Sequence, residues 1–327
     1  MSSGRTVPLN TGARIPALGY GTWQSSPDEV GDLVYEALKV GYRHLDFAKV
    51  YGNQKEAGKG IKRAINEIPG LKREDIFITS KLWNDCHQPE NVAAALDDTL
   101  RELDIDYLDL YLIHWPVAFI HGQGLLPIDK DGTSVILDKS TSISQTWKAM
   151  TNLPKAKTRA VGVSNFTVEH LENIIKATGI TPASNQIERH PRLIQENLVE
   201  YCAEKGILLT AYSAFGNNTT GIPLLINNDK VKAVAKRLDA APAKVLLAWA
   251  QVGGHAVISK SVAPSRIREN FQEIELEDED IRRLDEIGLD RHRFNIPVGF
   301  KPKWDVDCFG EASEAAATST VILCHKT

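Results

Sequence analysis

A single α/β barrel of eight parallel strands, each followed by a helix, is the fold this sequence predicts, and three observations predict it. Eight short apolar runs alternate along the chain with amphipathic stretches at helical spacing. No composition break or linker divides the 327 residues, and barrels routinely run past ~200 residues as one unit. An open doubly wound sheet holding a dinucleotide would want G-x-G-x-x-G after its first strand, where this chain reads Gly19-Tyr20-Gly21-Thr22-Trp23.

Taken in order, Val7–Pro16 carries a turn signal at Asn10-Thr11-Gly12 between two short extended pieces, which predicts a small β-hairpin ahead of the barrel. The eight strands are expected at Ala17–Thr22, Tyr42–Asp46, Ile76–Lys81, Leu108–His114, Ala160–Val163, Ala183–Ile187, Leu208–Tyr212 and Ala256–Ile258. Between them, Glu29–Val40, Asn91–Leu103, Val168–Ala177 and Glu196–Lys205 repeat apolar residues at helical spacing. Ser26-Pro27-Asp28-Glu29 and Thr167-Val168-Glu169 mark helix starts, and Gly41 and Gly206 close helices ahead of the next strand. Three segments stand outside the repeat. Val117–Thr141 is a long insertion after the fourth strand, and Leu276–Ile287 is a charged amphipathic helix after the eighth. Arg291–Gly310, aromatic and Pro-containing, is expected to cover a pocket. The barrel domain is therefore placed at 1–310, and 311–327, rich in Ala, Ser and Thr, is expected to be a flexible C-terminal tail.

The bulk composition narrows the function. A net charge of -4 gives no global attraction to nucleic acid or anionic membrane. Cys86, Cys202, Cys308 and Cys324 are far apart with no CxxC spacing, so neither a disulfide framework nor a zinc site is expected, and a reducing compartment fits. The first residues lack an apolar h-region and no run approaches the ~18 apolar residues of a membrane span. The expectation is a cytoplasmic, monomeric protein acting on small molecules.

Chemistry concentrates at strand ends. Arg43-His44-Leu45-Asp46 runs into Tyr51, Ile76–Lys81 ends in a lysine, and Leu108–His114 ends in a histidine. A lone Asp or Lys at a strand end is usually a surface group, and a lone Tyr or His is usually packing. Four such residues on neighbouring parallel strands would instead converge on one face. A free tyrosine donates poorly at neutral pH, its pKa being ~10. An ammonium ~4 Å away would favour phenolate by up to ~4 kcal/mol at an effective dielectric near ~20. Asp46 would keep Lys81 charged, His114 would orient a substrate oxygen, and Tyr51 would protonate a carbonyl as hydride arrives at carbon. Metal is not called for.

At these residues the sequence resembles the aldo-keto reductase superfamily. His44-Leu45-Asp46 with Val50-Tyr51-Gly52-Asn53, Leu112-Ile113-His114-Trp115-Pro116, Gly162-Val163-Ser164-Asn165-Phe166, and Ile258-Ser259-Lys260-Ser261-Val262 with Arg266 and Glu269-Asn270 match its segments, from about Val7 to Gly310. The resemblance implies Tyr51 as acid/base and Asp46, Lys81 and His114 as its partners. It also implies an NADPH/NADP+ cofactor. Thr22, Trp23 and Asp46 belong to that site, and Ser164, Asn165 and Gln186 would hydrogen-bond a carboxamide. Tyr212 would stack on the ring, while Ser213, Ala214, Phe215, Gly216 and Asn218 form a loop suited to wrapping a pyrophosphate with backbone N–H groups. Lys260, Ser261, Val262, Arg266, Glu269 and Asn270 complete it, two cations and a hydroxyl favouring a 2′-phosphate and hence NADPH. The chain departs from the family pattern at Ala214-Phe215, at Ala263, and at Pro154–Thr158 before the fifth strand, none of which touches the four strand-end residues.

For substrate, Trp23, Tyr51, His114 and Trp115 are expected to line the mouth, with Phe300 and Trp304 contributed by the C-terminal loop. Trp147 and Trp249 are expected to be packing. Aromatic walls with few charges favour small neutral aldehydes, aldoses or polyols, and no second arginine is placed to hold a carboxylate, which leaves Lys301 and Lys303 as the cations that could swing in. The pattern looks most similar to fungal members acting as glycerol dehydrogenase or glyceraldehyde reductase. The alternatives are a sugar or sugar-acid reductase (xylose, galacturonate), a non-catalytic nicotinamide-binding regulatory subunit, or an unrelated barrel isomerase, in which Ser164-Asn165, Gln186 and Tyr212 would have no role.

Overall fold

The computed structural model describes residues 4–324. Strands β1 (Thr6–Pro8) and β2 (Arg14–Pro16) form the expected antiparallel hairpin. It plugs the N-terminal end of a barrel: Val7, Leu9, Ile15 and Ala17 bury against Phe77, Leu110, Leu112, Ala160, Ala183, Leu208 and Ala256. Eight parallel strands close that barrel: β3 (Leu18–Gly21), β4 (His44–Asp46), β5 (Phe77–Leu82), β6 (Leu108–Ile113), β7 (Thr158–Ser164), β8 (Ser184–Glu188), β9 (Leu208–Tyr212) and β10 (Ala256–Ser259), with β10 pairing to β3. Every residue of β5 and β6 is buried, because helices cover the outer face and side chains fill the lumen. That is why a lysine in β5 cannot be ordinary surface charge.

The helical ring comprises α1 (Pro27–Val40), α2 (Gln54–Glu67), α3 (Pro89–Leu103), α4 (Ile143–Thr151), α5 (Val168–Thr178), α6 (Glu196–Lys205), α7 (Asp229–Arg237), α8 (Pro242–Ala250) and α9 (Pro264–Asn270), followed by α10 (Asp278–Asp285). Ser26 and Glu29 form a capping box on α1, Thr167 accepts from the His170 N–H on α5, and Gly41 (φ 125°) and Gly206 (φ 66°) close α1 and α6. Helix α2 was not apparent from spacing. It is polar and carries Gly58 and Gly60, poor helix formers. Both are needed for packing: a Cβ on Gly58 would sit 2.4 Å from the Leu103 carbonyl oxygen, and one on Gly60 would sit 2.2 Å from that of Gly31. Trp147 on α4 and Trp249 on α8 are fully buried core residues, as expected.

The insertion is folded onto the mouth of the barrel. Phe119 bridges Leu137 and Ile128 bridges Val135, while Val135 N donates to Lys303 O (2.8 Å) and Lys303 N to Thr133 O (3.0 Å). The insertion and the 291–310 loop thus hold each other over the site. The expected flexible tail is corrected in part: residues up to 324 are docked. Strand β12 (Ser319–Thr320) pairs with β11 (Val306–Asp307), the Ile143 N–H of α4 donates to Ile322 O (2.8 Å), and Val321 and Leu323 pack on the core. The Glu314 carboxylate staples the turn before it by accepting the N–H groups of Cys308, Phe309 and Glu311 at 3.0–3.1 Å. Small polar residues concealed those anchors. Residues 325–327 lie outside the described part.

Candidate active site

The barrel brings the four strand-end residues together at its C-terminal mouth, where parallel strands leave their last side chains facing one space. Asp46 is the last residue of β4, Lys81 is the penultimate residue of β5, His114 follows β6, and Tyr51 ends a 3₁₀ turn, Lys49–Tyr51, just after β4. Lys81 Nζ donates to Asp46 Oδ1 (2.6 Å) and Phe47 O (2.8 Å) and lies 3.5 Å from Tyr51 Oη. Asp46 Oδ2 accepts Gln186 Nε2 at 2.8 Å, so both carboxylate oxygens are engaged. Lys81 and Asp46 are only 1% and 3% exposed. At that depth a lone charge would cost several kcal/mol, and the pair survives because each ion is hydrogen-bonded on more than one side.

The electrostatics correct one expectation. Burial raises the Tyr51 phenol well above its ordinary value, and Asp46 and Tyr212 push it further, so any stabilisation of the phenolate by the nearby ammonium is outweighed in the resting site. Burial also lowers the Lys81 pKa, against which Asp46, bonded to the ammonium at 2.6 Å, favours the charged form. Tyr51 therefore rests as a protonated phenol. His114 is held neutral, its pKa pushed well below the usual value by burial, then by Lys81 and His87. Its Nδ1 is buried without a hydrogen-bond partner.

Aromatic rings wall the space. Trp23, half-exposed, lies 5.0 Å from the Tyr51 ring, and Tyr51 is 6.0 Å from His114. Trp115 packs edge-on to Phe300 (5.6 Å), Trp304 (5.4 Å) and Phe309 (6.1 Å). The sequence reading missed Trp83 and Phe119. Trp83 stands 5.1 Å from His114 and 5.8 Å from both Phe119 and Trp304, and its Nε1 donates to Leu125 O (2.6 Å), pinning the insertion. Its position two residues after Lys81, past the last strand residue, was the available signal.

The residues read as cofactor ligands fall into three groups around this floor. The first is already internally bonded: Ser164 Oγ donates to Gln186 O (2.8 Å), Asn165 Nδ2 to His114 O (2.9 Å), and Tyr212 Oη to Asn165 Oδ1 (2.6 Å). Thr22 likewise donates its hydroxyl to Asp46 O (3.1 Å). Gln186 keeps its amide oxygen to accept, while its nitrogen serves Asp46. The second is the loop after β9, where Ser213 (φ 53°) and Gly216 (φ 88°) take left-handed backbone, Ala214 is buried, Phe215 is half-buried and Asn218 is exposed. The third lies after β10. Lys260 Nζ donates to Gln24 O (3.2 Å), and Arg266 Nε donates to Ser261 Oγ (3.2 Å). Val262 and Glu269 are exposed, and Asn270 is buried. Burial lowers the Lys260 pKa, Glu29 offsets part of this, and Arg266 lowers it further. Among the described residues neither cation forms a salt bridge, and the two repel each other, so an anion between them would be favoured beyond what Glu29 supplies. The donor set therefore fits a phosphate-bearing nicotinamide nucleotide.

A barrel with this Asp–Lys–Tyr–His mouth is an oxidoreductase scaffold, and the chain belongs to the aldo/keto reductase family, whose model matches residues 17–289. Members of this family work with a nicotinamide cofactor. The chain is 63% identical to D/L-glyceraldehyde reductase of Hypocrea jecorina, over 99% of both chains. It is 41% identical to NAD(P)H-dependent D-xylose reductase of Candida tenuis, over 92% of this chain and 96% of that one. Among solved structures, the aldose reductase of Schistosoma japonicum superposes with a TM-score of 0.83 at 42% identity, covering 89% of this chain and 94% of that chain. Among the described residues no helix is long and apolar enough to cross a membrane.

Proposed function

We propose that the chain is an NADPH-dependent reductase of small aldehydes, glyceraldehyde foremost, running reversibly toward glycerol-type alcohols as a monomer in the cytoplasm. The observation that carries this is Lys81 Nζ standing 3.5 Å from the Tyr51 phenol with Asp46 at its back. Tyr51, half-buried and protonated, is the general acid. It gives its proton to the carbonyl oxygen, and in reverse takes the alcohol proton. Lys81, itself buried with Asp46, stabilises the phenolate formed as the proton leaves, and burial strengthens that charge interaction. Asp46 holds Lys81 charged and aimed. His114, neutral, orients the substrate oxygen by hydrogen bonding. The nicotinamide supplies the hydride that the carbonyl carbon receives. Ser164, Asn165, Gln186 and Tyr212 would hold that ring, the 213–218 loop its pyrophosphate, and Lys260, Ser261 and Arg266 the 2′-phosphate that sets NADPH apart from NADH.

The walls set the substrate class. Trp23, Trp83, Trp115, Phe300 and Trp304 offer apolar surface and few charges, which suits a short neutral aldehyde. Of the two lysines on the covering loop, Lys303 is held by Asp305 (2.7 Å) and Lys301 is exposed to solvent. The glyceraldehyde reductase and xylose reductase names of two relatives support the same class. The test is NADPH absorbance loss with DL-glyceraldehyde, xylose and galacturonate, repeated with NADH, and with glycerol and NADP+. Fastest turnover with NADPH and glyceraldehyde is expected. No NADPH-dependent turnover with any of the aldehydes would overturn the proposal.

A further inference from the structure

Two residues beyond Gln186, β8 ends in a second buried carboxylate that the proposed chemistry does not use. Glu188 is 1% exposed and accepts four hydrogen bonds: Oε1 from His190 Nε2 (2.8 Å) and Phe294 N (2.7 Å), Oε2 from Asn295 N and Asn295 Nδ2 (both 2.8 Å). Burial alone would raise its pKa, but these donors outweigh it and keep the group below the usual carboxylate value. Asn295 carries the contact onward. Its Oδ1 accepts Asn217 Nδ2 (2.8 Å), and its Nδ2 also lies 3.4 Å from Ser213 Oγ. Phe294 closes the gap by packing on Gly216, where a Cβ would come within 3.1 Å of its ring. Two residues past Asn295, the turn Pro297–Gly299 begins the segment that sets Phe300 and Trp304 over Trp115. A ring of polar contacts backs this up: Gln195 Nε2 donates to Glu188 O (2.6 Å), Arg293 donates to Gln195 Oε1 (3.1 Å), and Arg293 also pairs with Glu311.

We propose that Glu188 is a positioning residue that latches the substrate-covering loop at 294–295 to the cofactor-wrapping loop at 213–217. The two coverings are then one cooperative element, with Asn295 as the link between them. This rests on reading 213–218 as the pyrophosphate loop. The consequence is that loosening the cofactor loop weakens aldehyde binding, although no residue of that loop need touch the aldehyde.

The experiment is a double-mutant cycle of Glu188→Gln with Asn217→Ala, reading NADPH Kd by protein-fluorescence quenching, glyceraldehyde KM and kcat at saturating NADPH, and Tm. The carboxamide keeps the volume but turns one acceptor into a donor aimed at the Asn295 N–H. Losing a charge-assisted hydrogen bond of this kind should raise both Kd and KM about tenfold, with kcat changed less than threefold. Asn217→Ala should raise both about threefold, and the double variant should match Glu188→Gln alone, because release of Asn295 already frees Asn217. Multiplicative effects, or a change in Tm with Kd and KM untouched, would overturn the latch. Should Glu188→Gln not fold, Asn295→Ala, on the loop itself, must raise Kd and KM together, and unchanged values overturn the latch. Wild-type protein that does not bind NADPH overturns the cofactor reading and the latch with it. Binding wild type with independent variants overturns the latch alone.

Discussion

Replacing Lys81 with methionine isolates the ammonium, because the side-chain volume is nearly kept while the charge goes. The Nζ–Oη separation of 3.5 Å sets the scale. A unit charge at that distance stabilises a forming phenolate by about 5 kcal/mol at an effective dielectric of ~20. The Asp46 carboxylate, 2.6 Å from the same ammonium, takes back part of it. The net is roughly 2–4 kcal/mol, a fall in kcat of about 30- to 1,000-fold. Stability falls too, since Asp46 loses its partner while buried, a loss that typically costs ~3–5 kcal/mol. The two effects separate in the Asp46→Asn/Lys81→Met double variant. Removing the stranded carboxylate should restore most of the Tm without restoring the rate. Turnover is followed by NADPH absorbance with saturating glyceraldehyde, and Tm by calorimetry. A Lys81→Met enzyme with kcat within threefold of wild type, or a double variant that regains rate along with stability, would refute an electrostatic role for the ammonium.

Other outcomes follow from the same geometry. Arg266→Ala should raise the Kd for NADPH about 10- to 100-fold and leave that for NADH within threefold, the loss of one charge-assisted contact to a phosphate; equal effects on both cofactors in a titration would contradict the 2′-phosphate assignment. Because Tyr51 is raised above its ordinary value, it keeps its proton through neutral pH and loses it only on the alkaline side of ~10. Aldehyde-reduction kcat should therefore be level from neutral pH upward and fall only in strong alkali, which a pH–rate profile reads directly. Arg291 pushes the Glu311 carboxyl down to about 2, with Arg293 helping against the cost of burial. A depressed acid contributes stability that is present above its unfolded value of ~4.3 and lost as pH falls toward 2. Glu311→Gln should thus lower Tm at pH 7 and converge with wild type at acid pH.

The fold was legible where two periodicities alternate, and the strand ends pointed to the candidate site because parallel strands in a barrel bring all their C-terminal ends to one mouth. Asp46, Tyr51, Lys81 and His114 meet as expected. What spacing does not reveal is which way a charge balance tips. The acidifying effect expected of Lys81 does not decide the balance at rest, since burial and Asp46 together outweigh it. Nor does it reveal contacts between segments distant in sequence. Gln186, read only as a carboxamide ligand, also fixes Asp46 across 140 positions. Helix α2 was hidden by the two glycines that let it approach its neighbours, and the tail's docking by its small polar composition. Trp83 was passed over because it follows the strand by one residue, where no repeat marks a side chain as inward.

The central claim, that the Tyr51 phenol is the proton donor, is tested most directly by Tyr51→Phe. The ring and its packing against Trp23 are kept, and only the hydroxyl is lost. NADPH binding by fluorescence quenching should stay within threefold of wild type, while glyceraldehyde turnover should fall by at least about 10³-fold, the upper range of what a positioned general acid and its stabilising charge supply together. A Tyr51→Phe enzyme that binds NADPH and still reduces glyceraldehyde at a tenth of the wild-type rate would contradict it.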